Sequence, residues 1–85
     1  MKKVLFEPLS HRQFLEWERS DRKVFQKIVE LIAEAQVHPY TGIGKPELLK
    51  YQLKGCWSRR INKEHRLVYK VTQDSLVIIS CKYHY

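Results

Sequence analysis

Apolar residues recur at helical spacing in the first half of the chain and at every second position in the second half. Lys3–Phe6 is predicted to be a strand ending at Glu7-Pro8, followed by a short helix with Ser10 as its N-cap. Ser20-Asp21 caps a second helix whose apolar residues share one face: Val24, Phe25, Ile28, Val29, Ile32 and Ala35. His38-Pro39 ends it, because a residue before proline is pushed out of helical conformation. This half therefore predicts a helical hairpin with one apolar face.

The second half of the chain predicts a small sheet. Lys45–Lys50, with a proline near its start, is predicted to form one helical turn, and Gly55 breaks the chain after it. Short connections then separate three predicted antiparallel strands: Cys56–Ile61, His65–Thr72 and Leu76–Tyr83. The chain is thus predicted to be one α+β domain, residues 1–85. Its N-terminal strand and helical hairpin would pack on one face of a mainly antiparallel, twisted sheet.

Alternation assigns the strand residues to two faces. We expect the helices to cover the more apolar set of each strand. In the third strand that set is Val77, Ile79, Cys81 and Tyr83. The opposite face would then carry four basic residues: Arg60, Arg66, Lys82 and His84. Arg59 is the exception, because its parity places it with Trp57 and Ile61; this predicts a sheet edge or a bulge at that point.

Charge sharpens this interpretation. The chain carries 16 Lys and Arg against 9 Asp and Glu, a net charge of +7. Residues 45–85 contain nine of the bases and three of the acids, so most of the imbalance lies on the predicted sheet. Such a concentration of positive charge is typical of a protein that binds a polyanion. A repressor-like DNA binder is the weakest candidate, because no predicted helix has a basic face.

Other classes are excluded by composition. No run of eighteen apolar residues predicts a membrane span, and the apolar stretch at the N-terminus is too short for a signal peptide. We therefore expect a cytoplasmic protein, with Cys56 and Cys81 as reduced thiols. His11, His38 and His65 show no metal-ligand spacing, so neither a metal site nor a cofactor is predicted.

The residue types needed to cut RNA without metal all occur in the basic segment. A base takes the proton of the 2′-hydroxyl, an acid protonates the leaving 5′-oxygen, and cations stabilise the charge that develops on the phosphate. His84 is the candidate acid and Glu47 the candidate base, while Arg66 and Arg60 could bind phosphate oxygens. Further candidate RNA contacts are Lys50, Lys82, Trp57, Tyr83 and Tyr85.

Each of these residues has an alternative explanation. His84 could be a solvated residue of the chain end, and Glu47 could be an acid suited to the start of a helix. The arginines could line a solvated sheet face, and Trp57 could belong to the core. Two classes of function therefore stay open: an RNA-cutting enzyme, and a basic module that blocks the ribosome or another RNA surface without cutting.

Three segments resemble the YoeB (Txe) toxins of bacterial toxin–antitoxin systems, members of the RelE-like ribonuclease superfamily. They are G-K-P-E-L-L-K, G-C-W-S-R-R-I-N-K-E-H-R-L-V-Y-K-V and D-S-L-V-I-I-S-C-K-Y-H-Y. Together they span Gly44–Tyr85, about half of the chain. The resemblance implies an endonuclease that cuts mRNA in the ribosomal A site and needs no metal.

The resemblance also implies roles and partners. Glu47 would be the general base, His84 the general acid and Arg66 the residue that stabilises the transition state. Lys50 and Arg60 would place the phosphate, and Tyr85 would help to orient the nucleotide. The products would be a 2′,3′-cyclic phosphate, or a 3′-phosphate, and a 5′-hydroxyl. The implied partners are mRNA on the 70S ribosome, an acidic YefM-like antitoxin and a second copy of the chain in a homodimer.

Overall fold

A computed structural model describes residues 1–83, so the predictions for His84 and Tyr85 lie outside the described residues. The elements are β1 (Lys3–Phe6), α1 (Pro8–Ser20), α2 (Arg22–Val37), β2 (Glu47–Leu48), a 3₁₀ turn (Tyr51–Leu53), β3 (Cys56–Arg60), β4 (Arg66–Val71) and β5 (Ser75–Ser80). The sheet order is β1-β5-β4-β3-β2, with β1 parallel to β5 and all other neighbours antiparallel. The predicted α+β class with a mainly antiparallel sheet is confirmed.

The two helices begin for different reasons. Asp21 caps α2 as predicted, since its carboxylate accepts the backbone N–H of Val24 at 3.2 Å. Ser10 does not cap α1, because Pro8 already provides the first helical position, where its missing N–H costs nothing. Ser10 is instead fully buried, and its hydroxyl donates to the carbonyl oxygen of Ile78 at 2.6 Å. The serine therefore fastens α1 to β5.

The core lies between α2 and one face of the sheet. From α2 it takes the apolar stripe Ile28, Leu31, Ile32 and Ala35, and from the strands Leu67, Tyr69, Leu76 and Ile78. Each fully buried aliphatic side chain of this kind contributes about 1.5–3 kcal/mol to folding. The opposite side of the sheet, called the open face below, carries no helix among the described residues. Within residues 1–83, neither helix is long and apolar enough to cross a membrane.

The predicted helical turn at Lys45–Lys50 is wrong. Glu47 pairs with Ser58 and Leu48 pairs with Trp57, so these two residues form an edge strand. The Leu49 N–H then donates to the carbonyl of Cys56 at 2.8 Å and continues the ladder. Backbone bonds to β3 hold the segment extended here, and the only helical turn nearby is the 3₁₀ turn that follows.

The face assignment is confirmed for β3 and β4, whereas in the third predicted strand it is wrong before Ile79 and correct for Ser80 and Cys81. Leu76 and Ile78 enter the core, although alternation had placed them on the open face. Ile79 has no partner, because Val68 pairs with Ser80 and Tyr69 with Ile78. This bulge reverses the alternation, so Ser80 faces the open side and Cys81 returns to the core.

The strand also ends earlier than predicted, at Ser80. Side chains of α1 hold the chain beyond it. The indole N–H of Trp17 donates to the carbonyl of Cys81 at 2.9 Å, and the Gln13 side-chain oxygen accepts the Cys81 N–H at 2.8 Å. The first helix therefore determines where the C-terminal segment leaves the sheet.

Candidate active site

Glu47 lies at the sheet edge formed by β2. Its partner on β3 is Ser58, which lies opposite Val68 on β4, so the three residues share the open face. The backbone on either side of Glu47 is fixed by the ladder to β3, whereas its side chain is 66% exposed. The carboxylate thus has a defined position and remains accessible to a ligand.

Arg66 is the first residue of β4, and its guanidinium extends across β3 to Glu47. One nitrogen donates to the hydroxyl of Ser58 at 3.2 Å and lies 3.8 Å from a carboxylate oxygen of Glu47. An ion pair with so exposed an acid contributes about 1 kcal/mol or less to stability. The fold therefore depends little on this pair, which leaves both charges available for binding or chemistry.

Arg60 lies directly opposite Arg66, so the two arginines share the open face, as alternation predicted. Two like charges that face each other across neighbouring strands destabilise a sheet. Among residues 1–83, no acid lies within 4.0 Å of the Arg60 guanidinium to offset this. A pair of guanidinium groups in this position is suited to an anion with several oxygens, such as a phosphate.

Lys50 borders an open cleft beside Glu47. The cleft has a volume of about 500 Å³ and is lined by consecutive residues, 47–53. Tyr51 in its wall is 90% exposed and has a φ of +61°, a left-handed conformation that bulky residues rarely adopt. A cation and an exposed ring next to a carboxylate suit the phosphate and base of a single-stranded nucleic acid.

Lys82 does not join the arginines on the open face, and that prediction is wrong. Its ammonium lies 3.8 Å from a carboxylate oxygen of Glu16 on α1, and it sits 5.6 Å from the ring centroid of Trp17. The cause is the early end of β5, after which the chain follows α1. Lys82 therefore adds positive charge beside α1 and not on the open face.

His84 and Tyr85 lie outside the described residues, but Tyr83, the residue before them, makes two hydrogen bonds through its backbone. The backbone N–H of Arg66 donates to the carbonyl of Tyr83 at 3.0 Å. The N–H of Tyr83 donates to Nδ1 of His65 at 2.6 Å. Tyr83, the residue that precedes the C-terminal dipeptide, is therefore hydrogen-bonded to His65 and Arg66 at the start of β4.

The sequence interpretation missed the role of Arg59. Its side chain is fully buried on the helix-covered side of the sheet, as its parity indicated, and Arg59 is neither at an edge nor on a bulge. It donates to a carboxylate oxygen of Glu34 at 3.0 Å and to the hydroxyl of Tyr69 at 3.0 Å. Three loop carbonyls also accept from it, those of His38, Thr41 and Ile43. Arg59 thus holds the loop between α2 and β2.

Glu34 completes this buried cluster. The backbone N–H of Ile43 donates to its carboxylate and, together with Arg59, lowers the pKa of Glu34, although partial burial opposes this. The signals in the sequence were an arginine whose parity placed it on the apolar face of its strand, and an acid next to Ala35 at the border of the apolar stripe of α2. The cluster is structural: it fixes the loop that leads into Glu47.

The two cysteines are not candidate nucleophiles. Cys81 is fully buried, and burial raises its pKa to about 12, so the thiolate is not formed at neutral pH. Burial also raises the pKa of the partly buried Cys56 thiol. Within residues 1–83, no three His, Cys, Asp or Glu side chains come together as a metal site would require. The reactive groups on the open face are therefore carboxylate and guanidinium.

These features define a class: a small basic domain with two helices on one face of a five-stranded sheet and a carboxylate beside paired arginines on the other. The same fold occurs in the toxin–antitoxin complex RelBE2 from Mycobacterium tuberculosis, with a TM-score of 0.71 over 98% of each chain. At 19% identity that likeness concerns the fold alone. The fold is thus RelE-like, as predicted.

Closer relatives define the family. The family model of the YoeB-like toxin of bacterial type II toxin–antitoxin systems matches residues 6–85. Toxin YoeB of Escherichia coli K12 is 49% identical over 83 residues, covering 98% of this chain and 99% of the relative. The YoeB dimer from Staphylococcus aureus is 44% identical with a TM-score of 0.92, covering 99% of this chain and 98% of that one. The chain belongs to the YoeB-like toxin family.

The same family has been seen with its antitoxin. A heterotetrameric YoeB-YefM complex from Staphylococcus aureus contains a chain 43% identical to this one. Its TM-score is 0.90, and the match covers 100% of this chain and 99% of that chain. Both the fold and the family predicted from the sequence are therefore confirmed.

Proposed function

We propose that this chain is a ribosome-dependent endoribonuclease that stops translation by cutting mRNA in the A site without a metal ion. The observation that carries the proposal is the placement of Glu47 and Arg66. The carboxylate and the guanidinium lie 3.8 Å apart on a basic, accessible sheet face. A base and a cation at this separation can both reach one phosphodiester and the hydroxyl next to it.

The proposed reaction is an intramolecular transfer. Glu47 accepts the proton of the 2′-hydroxyl, and the oxygen attacks the neighbouring phosphorus. Arg66 and Arg60 bind the oxygens on which negative charge develops. His84 gives its proton to the leaving 5′-oxygen as the P–O bond breaks. The products are a 2′,3′-cyclic phosphate, or a 3′-phosphate after hydrolysis, and a 5′-hydroxyl.

Three further residues are proposed as substrate contacts. Lys50 borders the cleft beside Glu47 and would bind a phosphate there. Tyr85 would help to orient the nucleotide. Lys82 has its ammonium next to Glu16 on α1. It would therefore contact RNA from that side of the molecule.

Partners follow from the relatives. The Staphylococcus aureus proteins form a YoeB dimer and a YoeB-YefM complex. We expect this chain likewise to form a homodimer and to bind an acidic YefM-like antitoxin, whose charge complements the net +7 of the toxin. Ribosome-bound mRNA as substrate implies that the protein acts in the cytoplasm. Light scattering of the purified chain, alone and with the antitoxin, measures both associations.

A reconstituted translation reaction tests the activity. Message 5′ ends are mapped after brief incubation with the wild type, Glu47→Gln and His84→Ala. Glu18→Gln is the matched control, since Glu18 is an exposed acid on α1. We expect new 5′-hydroxyl ends with the wild type and the control. In each site variant, cleavage should fall by about 10²–10⁴-fold, the usual contribution of a general acid or base.

The same reaction distinguishes the non-cutting alternative. If the protein only blocks the ribosome, translation will stop while the message stays intact. Wild-type cleavage that persists in both site variants would instead refute the assigned roles. Sedimentation with 70S ribosomes shows whether each variant still binds.

A further inference from the structure

His65 is a buried imidazole to which the proposed reaction gives no role. It is 6% exposed and packs between two aromatic rings. The ring centroid of Trp17 lies 4.8 Å away in an edge-on arrangement, and that of Tyr83 lies 5.4 Å away. Its Nδ1 accepts the backbone N–H of Tyr83 at 2.6 Å. The imidazole therefore contributes both packing and one specific hydrogen bond.

Tyr83 is held on both sides of its α-carbon. Its N–H donates to His65, and its carbonyl accepts from the N–H of Arg66 at 3.0 Å. Its φ of +63° is left-handed, a conformation that costs energy for a tyrosine and persists only when the surroundings enforce it. Two consecutive residues, 65 and 66, thus hold the Tyr83 backbone in this conformation.

The bond also fixes the state of the imidazole. Nδ1 must be unprotonated to accept an N–H, so the neutral ring carries its proton on Nε2. That nitrogen lies 3.7 Å from a carboxylate oxygen of Glu64. Because His65 is buried against Trp17 of α1, it is not placed to exchange protons with a substrate on the open face.

We infer that His65 is a positioning residue: by holding the Tyr83 backbone beside Arg66, it supports the proposed general acid that follows Tyr83 in the chain. The inference rests on the proposed ribonuclease function, in which His84 is the general acid. A small displacement of such a group is costly, since about 1 Å can reduce a rate by about 100-fold. The acceptor atom on residue 65, and not its ring, is what the reaction needs.

Two substitutions separate the acceptor from the ring. His65→Phe keeps an aromatic ring against Trp17 but offers no acceptor to the Tyr83 N–H. His65→Asn removes the ring but places an amide oxygen near the position of Nδ1. A purely structural role predicts that Phe is tolerated better, whereas a positioning role predicts that Asn is tolerated better.

The experiment is single-turnover cleavage of mRNA on the ribosome, measured over a range of toxin concentrations, with melting temperature and ribosome binding recorded for each variant. We expect His65→Phe to lower the maximal rate by about tenfold or more while half-saturation changes little. His65→Asn should retain more of the rate than His65→Phe, even where it melts lower. The Tyr83 amide proton should exchange faster in the Phe variant.

Semisynthesis supplies a second variant if His65→Phe does not fold. Cys81 allows ligation of a synthetic peptide, residues 81–85, in which an ester replaces the amide of Tyr83. This removes the N–H donor and leaves His65 and the Tyr83 carbonyl in place. A rate equal to that of the all-amide ligated protein would overturn the inference, as would wild-type cleavage by His65→Phe. Absence of cleavage by the wild type would instead refute the proposed function itself.

Discussion

Glu47 and Arg66 approach within 3.8 Å although a whole strand, β3, separates them in the sheet. The contact is possible because Arg66 lies at the start of β4 and extends its side chain diagonally over Ser58. The Glu47 side chain lies at the sheet edge and is 66% exposed, and the Arg66 side chain is 25% exposed. The arrangement places a carboxylate and a guanidinium together, and so exposed an ion pair contributes little to stability.

Replacement of Arg66 by Ala should abolish cleavage without unfolding the protein. Loss of one group that stabilises transition-state charge typically lowers the rate by about 10²–10³-fold. Unfolding free energy should change by about 1 kcal/mol or less, because the pair is partly solvated. Cleavage assays and urea titrations measure the two effects. Arg12→Ala, an exposed arginine on α1, is the control and should be active. Equal loss in both variants would show that overall charge alone matters.

Replacement of Arg59 by Met should destabilise the fold strongly. Its fully buried guanidinium bonds Glu34, Tyr69 and several loop carbonyls, all of which would lose a partner. Breaking a buried pair from one side costs about 3–5 kcal/mol, out of about 5–15 kcal/mol that stabilise a typical domain. Arg60→Met is the neighbouring control and should change stability by about 0.5 kcal/mol. Urea midpoints that fall equally in both variants would contradict the role given to Arg59.

Stability should depend on pH through Glu34. Its pKa is lowered from the ordinary 4.5 in the folded protein, chiefly by the Ile43 N–H and then by Arg59. A lowered pKa means that the carboxylate contributes stability above pH 4.5 and loses that contribution as pH falls through the folded pKa. The wild type should therefore exceed Glu34→Gln in stability at pH 7, and the gap should narrow toward pH 3.

Urea unfolding at a series of pH values from 7 to 3 measures that gap. Glu30→Gln is the matched control, because Glu30 lies on the exposed side of the same helix and its side chain is 62% exposed. Its difference from the wild type should show less pH dependence. A gap between wild type and Glu34→Gln that stays constant over the whole range would argue against the ionised cluster.

The sequence predicted the helices and strands because their patterns are local. The apolar stripe of α2 and the Asp21 cap both depend on neighbouring residues only. Alternation in β3 and β4 likewise predicted that Arg60 and Arg66 share one face of the sheet. Pairing between distant segments was not visible, and this is why Glu47 was assigned to a helical turn and not to an edge strand.

Two other errors have the same origin. The bulge at Ile79 depends on how β5 pairs with β4, and one unpaired residue was enough to move Leu76 and Ile78 to the core. Arg59 was assigned to a sheet edge or a bulge because a buried charge needs partners that alternation does not reveal. Its partners come from α2 and the following loop, which are distant in sequence.

Cleavage should not need a metal ion bound to the toxin. Within the described residues 1–83 no cluster of His, Cys, Asp and Glu has metal-site geometry, and the proposed reaction uses side chains for every proton transfer. The toxin is treated with excess chelator, dialysed, and added to ribosomes kept intact with magnesium. Its cleavage rate should equal that of untreated toxin. A loss that zinc or manganese restores would count against the proposed chemistry.

Two glycines offer a matched test of the loop that leads to Glu47. Gly44 has a φ of +80°, and a Cβ there would lie 2.8 Å from Leu31 Cδ2 and 3.1 Å from Arg59 Cβ. Gly55 has a φ of +92°, but a Cβ there would meet nothing within 4 Å. Both Ala variants carry the strain of a left-handed backbone, about 1–2 kcal/mol. Gly44→Ala alone adds overpacking, which costs about 1–3 kcal/mol more.

The difference between the two variants therefore isolates the packing of the loop from backbone strain. Gly44→Ala should melt well below Gly55→Ala in thermal unfolding. Its cleavage rate should also be lower at a temperature where both variants are folded. The carbonyl oxygen of Gly44 accepts the backbone N–H of Arg60 at 2.6 Å. Displacement of the loop would therefore disturb the pair of Arg60 and Arg66. Equal melting temperatures would show that the loop yields freely, and Arg59 would then not fix the approach to Glu47.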